Sequence, residues 1–184
     1  IKVGNGIYAY DQPLSLDESA FDKYRQMYAS FGLGVKTGID LPSESLGYSG
    51  SSKMPGHLLD FSIGQYDTYT PIQISQYINT IANGGTRYQP YLLKEVYKAS
   101  DNKEDKFGEK IYTQEAVKLG TVDVETKYMD RVKEGFRAVV EYGLGTGYMG
   151  NYRDIGAGKT GTSQSFIDTD GDDMVDTETI STSF

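Results

Sequence analysis

The most informative stretch of the sequence is Gly156-Ala157-Gly158-Lys159-Thr160-Gly161-Thr162-Ser163-Gln164. Small residues precede its lysine and hydroxyl residues follow it, which favours a strand beside a cleft. Strand alternation puts Lys159 and Gly161 on one face and Thr160 and Thr162 on the other, unless a twist or bulge at Gly161 turns both sets toward the cleft. The lysine would supply positive charge, the threonine hydroxyls would hold a carboxylate, and a strand N–H would face a developing oxyanion. The alternative is an ordinary edge strand with a solvated lysine.

The same stretch contains Gly158-Lys159-Thr160, which is also the ending of a phosphate-binding P-loop. That motif requires a glycine at position 153, where the sequence has Arg153. It also requires a helix after the threonine, whereas Gly161 follows directly. We therefore exclude the P-loop interpretation.

Three helices are predicted from apolar residues that recur at spacings of three and four, over 17–31, 71–83 and 125–142. Thr70 is a suitable N-cap for the second helix, with Pro71 at its first position. The predicted buried stripe of this helix is Ile74, Tyr77, Ile78 and Ile81. That of the third helix is Met129, Val132, Phe136, Val139 and Val140.

Strands are predicted over 91–97, 110–112, 155–164 and 177–184, and a surface loop over 43–60. The polar residues between the first two strands form a solvated hairpin turn. No repeat or domain boundary is visible. These elements predict an α+β fold in which helices pack on an antiparallel sheet, and the last strands belong to a larger sheet.

Composition excludes several classes of function. The formal net charge is −8, with 18 Lys and Arg against 26 Asp and Glu, so a general nucleic-acid binder is not expected. Cysteine is absent, which excludes zinc–thiolate sites, disulfides and thiol catalysis. The single histidine, His57, follows Pro55-Gly56 and is predicted to be an ordinary loop residue. No apolar run approaches the roughly 20 residues of a membrane span.

An acidic run at 168–173 invites a calcium interpretation. In an EF-hand loop the glycine stands at position six, so Gly171 would make Phe166 the first ligand, and a phenylalanine cannot ligate calcium. A solvated turn between two strands is the better interpretation. Neither a metal nor a cofactor is expected.

Lys159-Thr160-Gly161-Thr162 resembles the third signature of penicillin-binding proteins and serine β-lactamases, a Lys-Thr-Gly followed by a hydroxyl residue. Further stretches resemble the class B members, the monofunctional transpeptidases, in order and spacing over most of residues 20–164. They are Phe31-Gly32-Leu33-Gly34, Thr37-Gly38-Ile39-Asp40-Leu41-Pro42, Ser62-Ile63-Gly64-Gln65, Thr70-Pro71-Ile72-Gln73 and Asn79-Thr80-Ile81-Ala82-Asn83-Gly84-Gly85. The resemblance implies the penicillin-binding protein/serine β-lactamase-like fold.

The sequence departs from this family in its first two signatures, Ser-x-x-Lys with the nucleophilic serine, and Ser-x-Asn. Both normally lie upstream. Ser100-Asp101-Asn102-Lys103 fits both patterns, but it falls in a charged hairpin after the Thr70 helix, where nothing would lower a lysine pKa. A second Lys-Thr-Gly begins at Lys36, which we interpret as a solvated turn residue. Residues 1–184 are therefore expected to be the C-terminal part of one transpeptidase domain, inactive alone.

The resemblance implies a peptidoglycan D,D-transpeptidase that is acylated by β-lactams. Lys159 would contribute electrostatics and proton-network support, and the Thr162 N–H would form half of an oxyanion hole. Thr160 and Thr162 would bind the carboxylate of the substrate or antibiotic, Gly161 would leave a gap where the substrate approaches the backbone, and Gln164 would line the mouth of the groove.

The implied partners are D-Ala-D-Ala stem peptides, β-lactams, the remainder of the same domain, and membrane proteins of a division or elongation complex. The implied location is the outer face of the bacterial cell membrane, with an anchoring N-terminal segment that the chain does not contain.

Two alternative functions stay open. One is a D-Ala-D-Ala carboxypeptidase or β-lactamase of the same fold, and the other is a related non-catalytic interaction domain. An upstream Ser-x-x-Lys would exclude the latter.

Overall fold

The computed structural model describes residues 19–51, 54–102, 104–142, 150–167 and 177–183. The chain forms two compact units, the first ending at Val124 and the second beginning at Glu125. Each unit contains helices and antiparallel strand pairs, which confirms the predicted α+β class. Within these ranges no helix is long and apolar enough to cross a membrane.

The core of the first unit lies between α1 (Ser19–Ser30) and α2 (Pro55–Ser62). Phe21 on α1 and Phe61 on α2 are 3% and 0% exposed, and their rings stack with centroids 6.1 Å apart. Helix α1 is within the predicted range and is followed by Gly32, whose φ of +103° suits a residue without a side chain.

Helix α2 corrects the predicted loop over 43–60. Pro55 stands at its first turn, and Leu58 and Phe61 are buried in the core shared with α1. Burial of these two side chains stabilises a short helix that its Ser- and Gly-rich surroundings do not indicate. His57 is therefore a helical residue rather than a loop residue, and its ring stacks on Tyr66 with centroids 4.7 Å apart.

Helix α3 (Pro71–Ala82) begins as the sequence predicts. The Thr70 hydroxyl accepts a hydrogen bond from the Gln73 amide, and the Gln73 side chain accepts one from the Thr70 amide. This reciprocal capping box satisfies two amides that a helix start otherwise leaves unpaired. The helix ends before Asn83, and Gly84 then takes a φ of +89°.

The inward face of α3 differs from the predicted apolar stripe. Its buried residues are Gln73, Gln76, Thr80 and Ile81. Ile74 and Ile78 are instead 42% and 38% exposed. The glutamines face inward because their amide groups donate hydrogen bonds to distant backbone carbonyls, such as Gln73 Nε2 to Val35 O at 2.8 Å. Buried carbonyls need such partners, and an isoleucine has none to offer.

Two antiparallel strand pairs complete the first unit. Strand β1 (Thr86–Tyr88) pairs with β4 (Lys118–Thr121), and neither was predicted. Strand β2 (Glu95–Tyr97) pairs with β3 (Lys110–Thr113), which confirms the predicted hairpin.

Strand β2 begins later than the predicted range of 91–97. The amides of Leu92 and Leu93 donate to the Asp40 carboxylate, at 2.7 Å and 2.9 Å. Because these N–H groups are held by a side chain, they do not enter a strand ladder.

The second unit contains α4 (Thr126–Glu141), a short 3-10 helix (Gly150–Tyr152), and the antiparallel pair β5 (Gly161–Ile167) and β6 (Thr177–Ser183). Helix α4 matches its predicted range. Met129 and Val140 are buried as predicted, whereas Val132 is 43% exposed. The predicted acidic turn at 168–173 lies outside the described residues.

Candidate active site

The predicted site residues lie in one continuous segment that runs into β5. Strand β5 begins at Gly161, so Lys159 and Thr160 precede the strand rather than lying inside it as predicted. The strict alternation of faces expected for Lys159 to Thr162 therefore applies only from Gly161 onward. Thr162 is opposite Thr182 in the β5–β6 register. The side chains of Thr162 and Gln164 lie outside the described part of the structure.

Lys159 presents a primary amine at the entrance to β5. Its side chain is exposed, and Nζ donates a hydrogen bond to the Thr160 carbonyl at 2.7 Å. Thr160 is half-buried and Gly161 is exposed. An exposed ammonium group beside an exposed glycine leaves space for an anionic or peptide-like group to approach the backbone.

Helix α4 fixes the chain immediately before Lys159. The Gly158 amide donates to the Phe136 carbonyl at 3.0 Å, and a Cβ built on Gly158 would stand 3.7 Å from Val140 Cγ2. This hydrogen bond points the Gly158 amide at the helix, which explains why the strand does not extend back to residue 155.

Arg137 on α4 was not identified from the sequence. Its Nη1 donates to the carbonyls of Arg153, at 2.6 Å, and Gly156. Its Nε forms an ion pair with Glu141 Oε1 at 2.7 Å. The spacing of Arg137 and Glu141 by four positions was the available signal, but it indicates only a pair on a helix surface.

The other Lys-Thr-Gly, at residues 36–38, forms a closed turn. Lys36 is exposed, as predicted for a solvated residue, and Thr37 is fully buried. The Glu44 carboxylate accepts hydrogen bonds from the Thr37 amide and hydroxyl, at 2.6 Å and 2.5 Å, and from the Gly38 amide at 3.1 Å. Desolvation raises the pKa of Glu44, but these hydrogen bonds outweigh it and hold that pKa below its ordinary value. The polar groups that could hold a ligand are thus already used within the turn.

Ser100 also lies in a local turn. Its hydroxyl donates to the Asn102 carbonyl at 2.9 Å and accepts from the Asn102 amide at 3.1 Å. Lys103, which would complete a Ser-x-x-Lys, lies outside the described residues. A serine whose hydroxyl is engaged with its own turn has the geometry of a turn residue rather than of a nucleophile directed at a substrate.

Comparison with known proteins gives a consistent result over almost the whole chain. Residues 10–183 match the family described as the penicillin-binding protein transpeptidase domain. Penicillin-binding protein 2A of Bacillus subtilis is 46% identical over 182 residues, which is 99% of this chain and 25% of that protein. The peptidoglycan D,D-transpeptidase MrdA of Acinetobacter baumannii is 32% identical over 161 residues, covering 80% of this chain and 22% of that protein.

A solved structure of penicillin-binding protein 2B from Streptococcus pneumoniae strain 5204 superposes with a TM-score of 0.75 at 28% identity. The superposed region covers 90% of this chain and 28% of the solved chain. The chain thus spans about a quarter of the length of the curated relatives it matches. The predicted penicillin-binding protein-like fold is confirmed by this similarity.

Proposed function

The chain belongs to the penicillin-binding protein transpeptidase family, with the features of its class B members, and from this membership we propose that the whole protein is a peptidoglycan D,D-transpeptidase. The observation that carries the proposal is the placement of Lys159-Thr160-Gly161-Thr162. This Lys-Thr-Gly-Thr lies at the open start of a paired strand, whereas the Lys-Thr-Gly at 36–38 is closed by Glu44. We further propose that residues 1–184 form the C-terminal part of one transpeptidase domain.

In the proposed reaction a serine from the remainder of the domain attacks the carbonyl of the penultimate D-Ala of a stem peptide. The tetrahedral oxyanion collapses, the amide bond breaks, and the terminal D-Ala leaves as a protonated amine. An amine of a second stem peptide then attacks the resulting ester, forms the cross-link and returns the proton to the serine oxygen. A β-lactam acylates the same serine because its ring amide opens in the first step. The proposed acyl transfer requires no cofactor.

Each residue of the segment has a distinct proposed role. Lys159 contributes positive charge and supports proton transfer. Thr160 and Thr162 bind the carboxylate of the substrate or antibiotic, and Gly161 leaves room for its backbone. The Thr162 amide supplies half of the oxyanion hole, and the nucleophilic serine supplies the other half. Gln164 lines the mouth of the groove.

The proposed location is the outer face of the bacterial cell membrane, where peptidoglycan is assembled. An N-terminal anchor outside this chain and contacts with a division or elongation complex belong to the same proposal.

Two alternative functions are tested against this proposal: a carboxypeptidase or β-lactamase, which would release the acyl group to water, and a non-catalytic interaction domain. Product analysis with an added acceptor amine distinguishes the first, and a complete absence of acylation distinguishes the second.

The test compares the two Lys-Thr-Gly lysines in the full-length protein. A charge at a developing oxyanion in a partly desolvated cleft contributes about 3 kcal/mol, so Lys159→Ala should slow penicillin acylation about a hundredfold. Lys36→Ala should change the rate little, because a solvated turn lysine contributes less than about 0.5 kcal/mol. The measurements are second-order acylation rate constants and melting curves of both variants. If Lys159→Ala is acylated at the wild-type rate, the role proposed for Lys159 is wrong.

A further inference from the structure

The guanidinium group of Arg137 joins α4 to the loop before Lys159. Its Nη1 donates to the carbonyls of Arg153, at 2.6 Å, and Gly156. Its Nε is held by Glu141, one helical turn further along α4, at 2.7 Å. A single side chain thus ties two points of the loop to the helix, and its own orientation is fixed by an ion pair.

The loop is stiffened between these two points. The amides of Ile155 and Gly156 both donate to the Tyr152 carbonyl, at 3.1 Å and 2.8 Å, which closes a turn after the 3-10 helix. Two residues later the Gly158 amide donates to the Phe136 carbonyl on α4. The backbone is therefore attached to the helix at residues 153, 156 and 158, and Lys159 is the next residue.

Arg137 is not placed as a core residue. Its side chain is 31% exposed, and that of Glu141 is 32% exposed. The buried side chains of α4 are Met129 and Val140, and Val140 lies close to the loop, with Cγ2 3.7 Å from a Cβ built on Gly158. Removing the guanidinium leaves both apolar side chains in place, and a melting curve of the variant checks that their packing is kept.

We propose that Arg137 is a positioning residue for acyl transfer, which holds the loop so that Lys159 and the start of β5 lie at the reacting carbonyl. This inference rests on the proposed transpeptidase function and adds a residue to it. Among the described residues, the hydrogen bonds and ion pair of Arg137 go to the carbonyls of Arg153 and Gly156 and to Glu141. Arg137 acts on the acylation step because a shift of about 1 Å in a catalytic group can lower a rate about a hundredfold.

The experiment measures penicillin acylation by the full-length protein under single-turnover conditions, which separates the acylation rate constant from the dissociation constant of the initial complex. Arg137→Gln removes the charge and the two donors that Nη1 directs at the loop. We expect its acylation rate constant to fall about tenfold to a hundredfold, with the dissociation constant changed less than about threefold. Arg137→Lys keeps the charge and one donor group, and should recover part of the rate.

Arg131→Gln is the matched control. Arg131 lies on the same helix and pairs with Glu134 at 2.8 Å, but its side chain is 82% exposed. The same substitution there should leave both constants at the wild-type values. Glu141→Gln leaves Arg137 in place and keeps an oxygen that can accept from its Nε, but it removes the charge of the ion pair, so it should cause a smaller loss of the same kind.

The outcomes separate this inference from the proposed function. A wild-type acylation rate constant in Arg137→Gln, beside a slow Lys159→Ala, overturns the positioning role and leaves the function intact. A different result is an acylation rate that falls in proportion to the fraction of folded protein, and equally in Arg137→Gln and Arg137→Lys. That result shows a structural role for Arg137 and also overturns the positioning role. If the wild-type protein forms no acyl-enzyme at all, it is the proposed function that fails.

Discussion

Gly32 occupies a position where a side chain would collide with a buried amide. Its φ is +103°, and a Cβ placed on it would stand 2.2 Å from Gln76 Oε1. Gly32→Ala should lower the free energy of unfolding by about 1–2 kcal/mol for the positive φ, and by about 1–3 kcal/mol more if the hydrogen bonds of Gln76 are disturbed. Gly64→Ala is the control, since its φ is +89° but nothing lies within 4 Å of the added Cβ. The free energies of unfolding are measured by denaturant unfolding of the full-length protein. If Gly32→Ala and Gly64→Ala lower them equally, the predicted collision with Gln76 is contradicted.

Because of Glu44, the free energy of unfolding of the first unit should decrease as the pH falls into the acid range. Its pKa is lowered from an ordinary 4.5, so its stabilising contribution is complete above that pH and is lost as the pH falls through the lower pKa of the folded state. Glu44→Gln should lower the free energy of unfolding at pH 7 by about 1–2 kcal/mol, because the three hydrogen bonds from Thr37 and Gly38 lose a charged acceptor. It should also flatten the decline in stability as the pH falls from 7 to below the ordinary carboxyl value of 4.5. Thermal unfolding across this range provides the measurement, and parallel curves for variant and wild type would contradict the assignment.

The sequence predicted that Lys36 is a solvated turn residue, and the structure confirms that it is exposed beside a closed turn. The role of Lys159 stays a prediction. The sequence could not identify Arg137, whose partners are the backbone carbonyls of Arg153 and Gly156. Every residue carries a carbonyl, so such a contact has no sequence signature until the loop has been placed beside the helix.

At the scale of elements, Gln73 should contribute more to α3 than an inward-facing apolar residue would. Its side chain accepts from the Thr70 amide and donates to the carbonyls of Val35, at 2.8 Å, and Leu46, at 3.4 Å. Gln73→Leu would leave these groups without their partner and should cost about 2–4 kcal/mol. Thr70→Ser keeps the capping hydroxyl and should stay within about 0.5 kcal/mol of wild type. Denaturant unfolding of the full-length protein checks both, and a neutral Gln73→Leu would show that the hydrogen bonds contribute little.

Local signals predicted those elements whose boundaries are encoded locally. Helix α3 has an N-cap, a proline and a terminal glycine pair, and its predicted range was accurate. Helix α2 and strands β1 and β4 were missed because they are short, and their stability comes from partners distant in the chain. On the inward face of α3, Ile81 is buried as predicted, but Ile74 and Ile78 are not. Those two predictions were wrong for the same reason, since burial of Gln73 depends on carbonyls outside the helix.

At the scale of the whole molecule, the 184-residue chain alone should form no covalent adduct with a labelled penicillin. The reason is that Ser100, its one match to Ser-x-x-Lys, has its hydroxyl engaged within a turn. Intact-mass measurement should show the unmodified chain. The full-length protein should gain one adduct, which peptide mapping places outside residues 1–184. Stoichiometric addition at Ser100 would overturn the assignment of the nucleophile.

The contact of Asp40 with Leu92 and Leu93 also bears on the order of folding. These hydrogen bonds join residues 52 and 53 positions apart, whereas the capping box of α3 joins neighbours. Closing so long a loop is entropically costly until the intervening helix and strands have formed. We therefore expect the Asp40 contact to form late in folding, so that its loss would raise the unfolding rate more than it lowers the folding rate. On this expectation the carboxylate contributes to how long the folded unit persists more than to how quickly it forms.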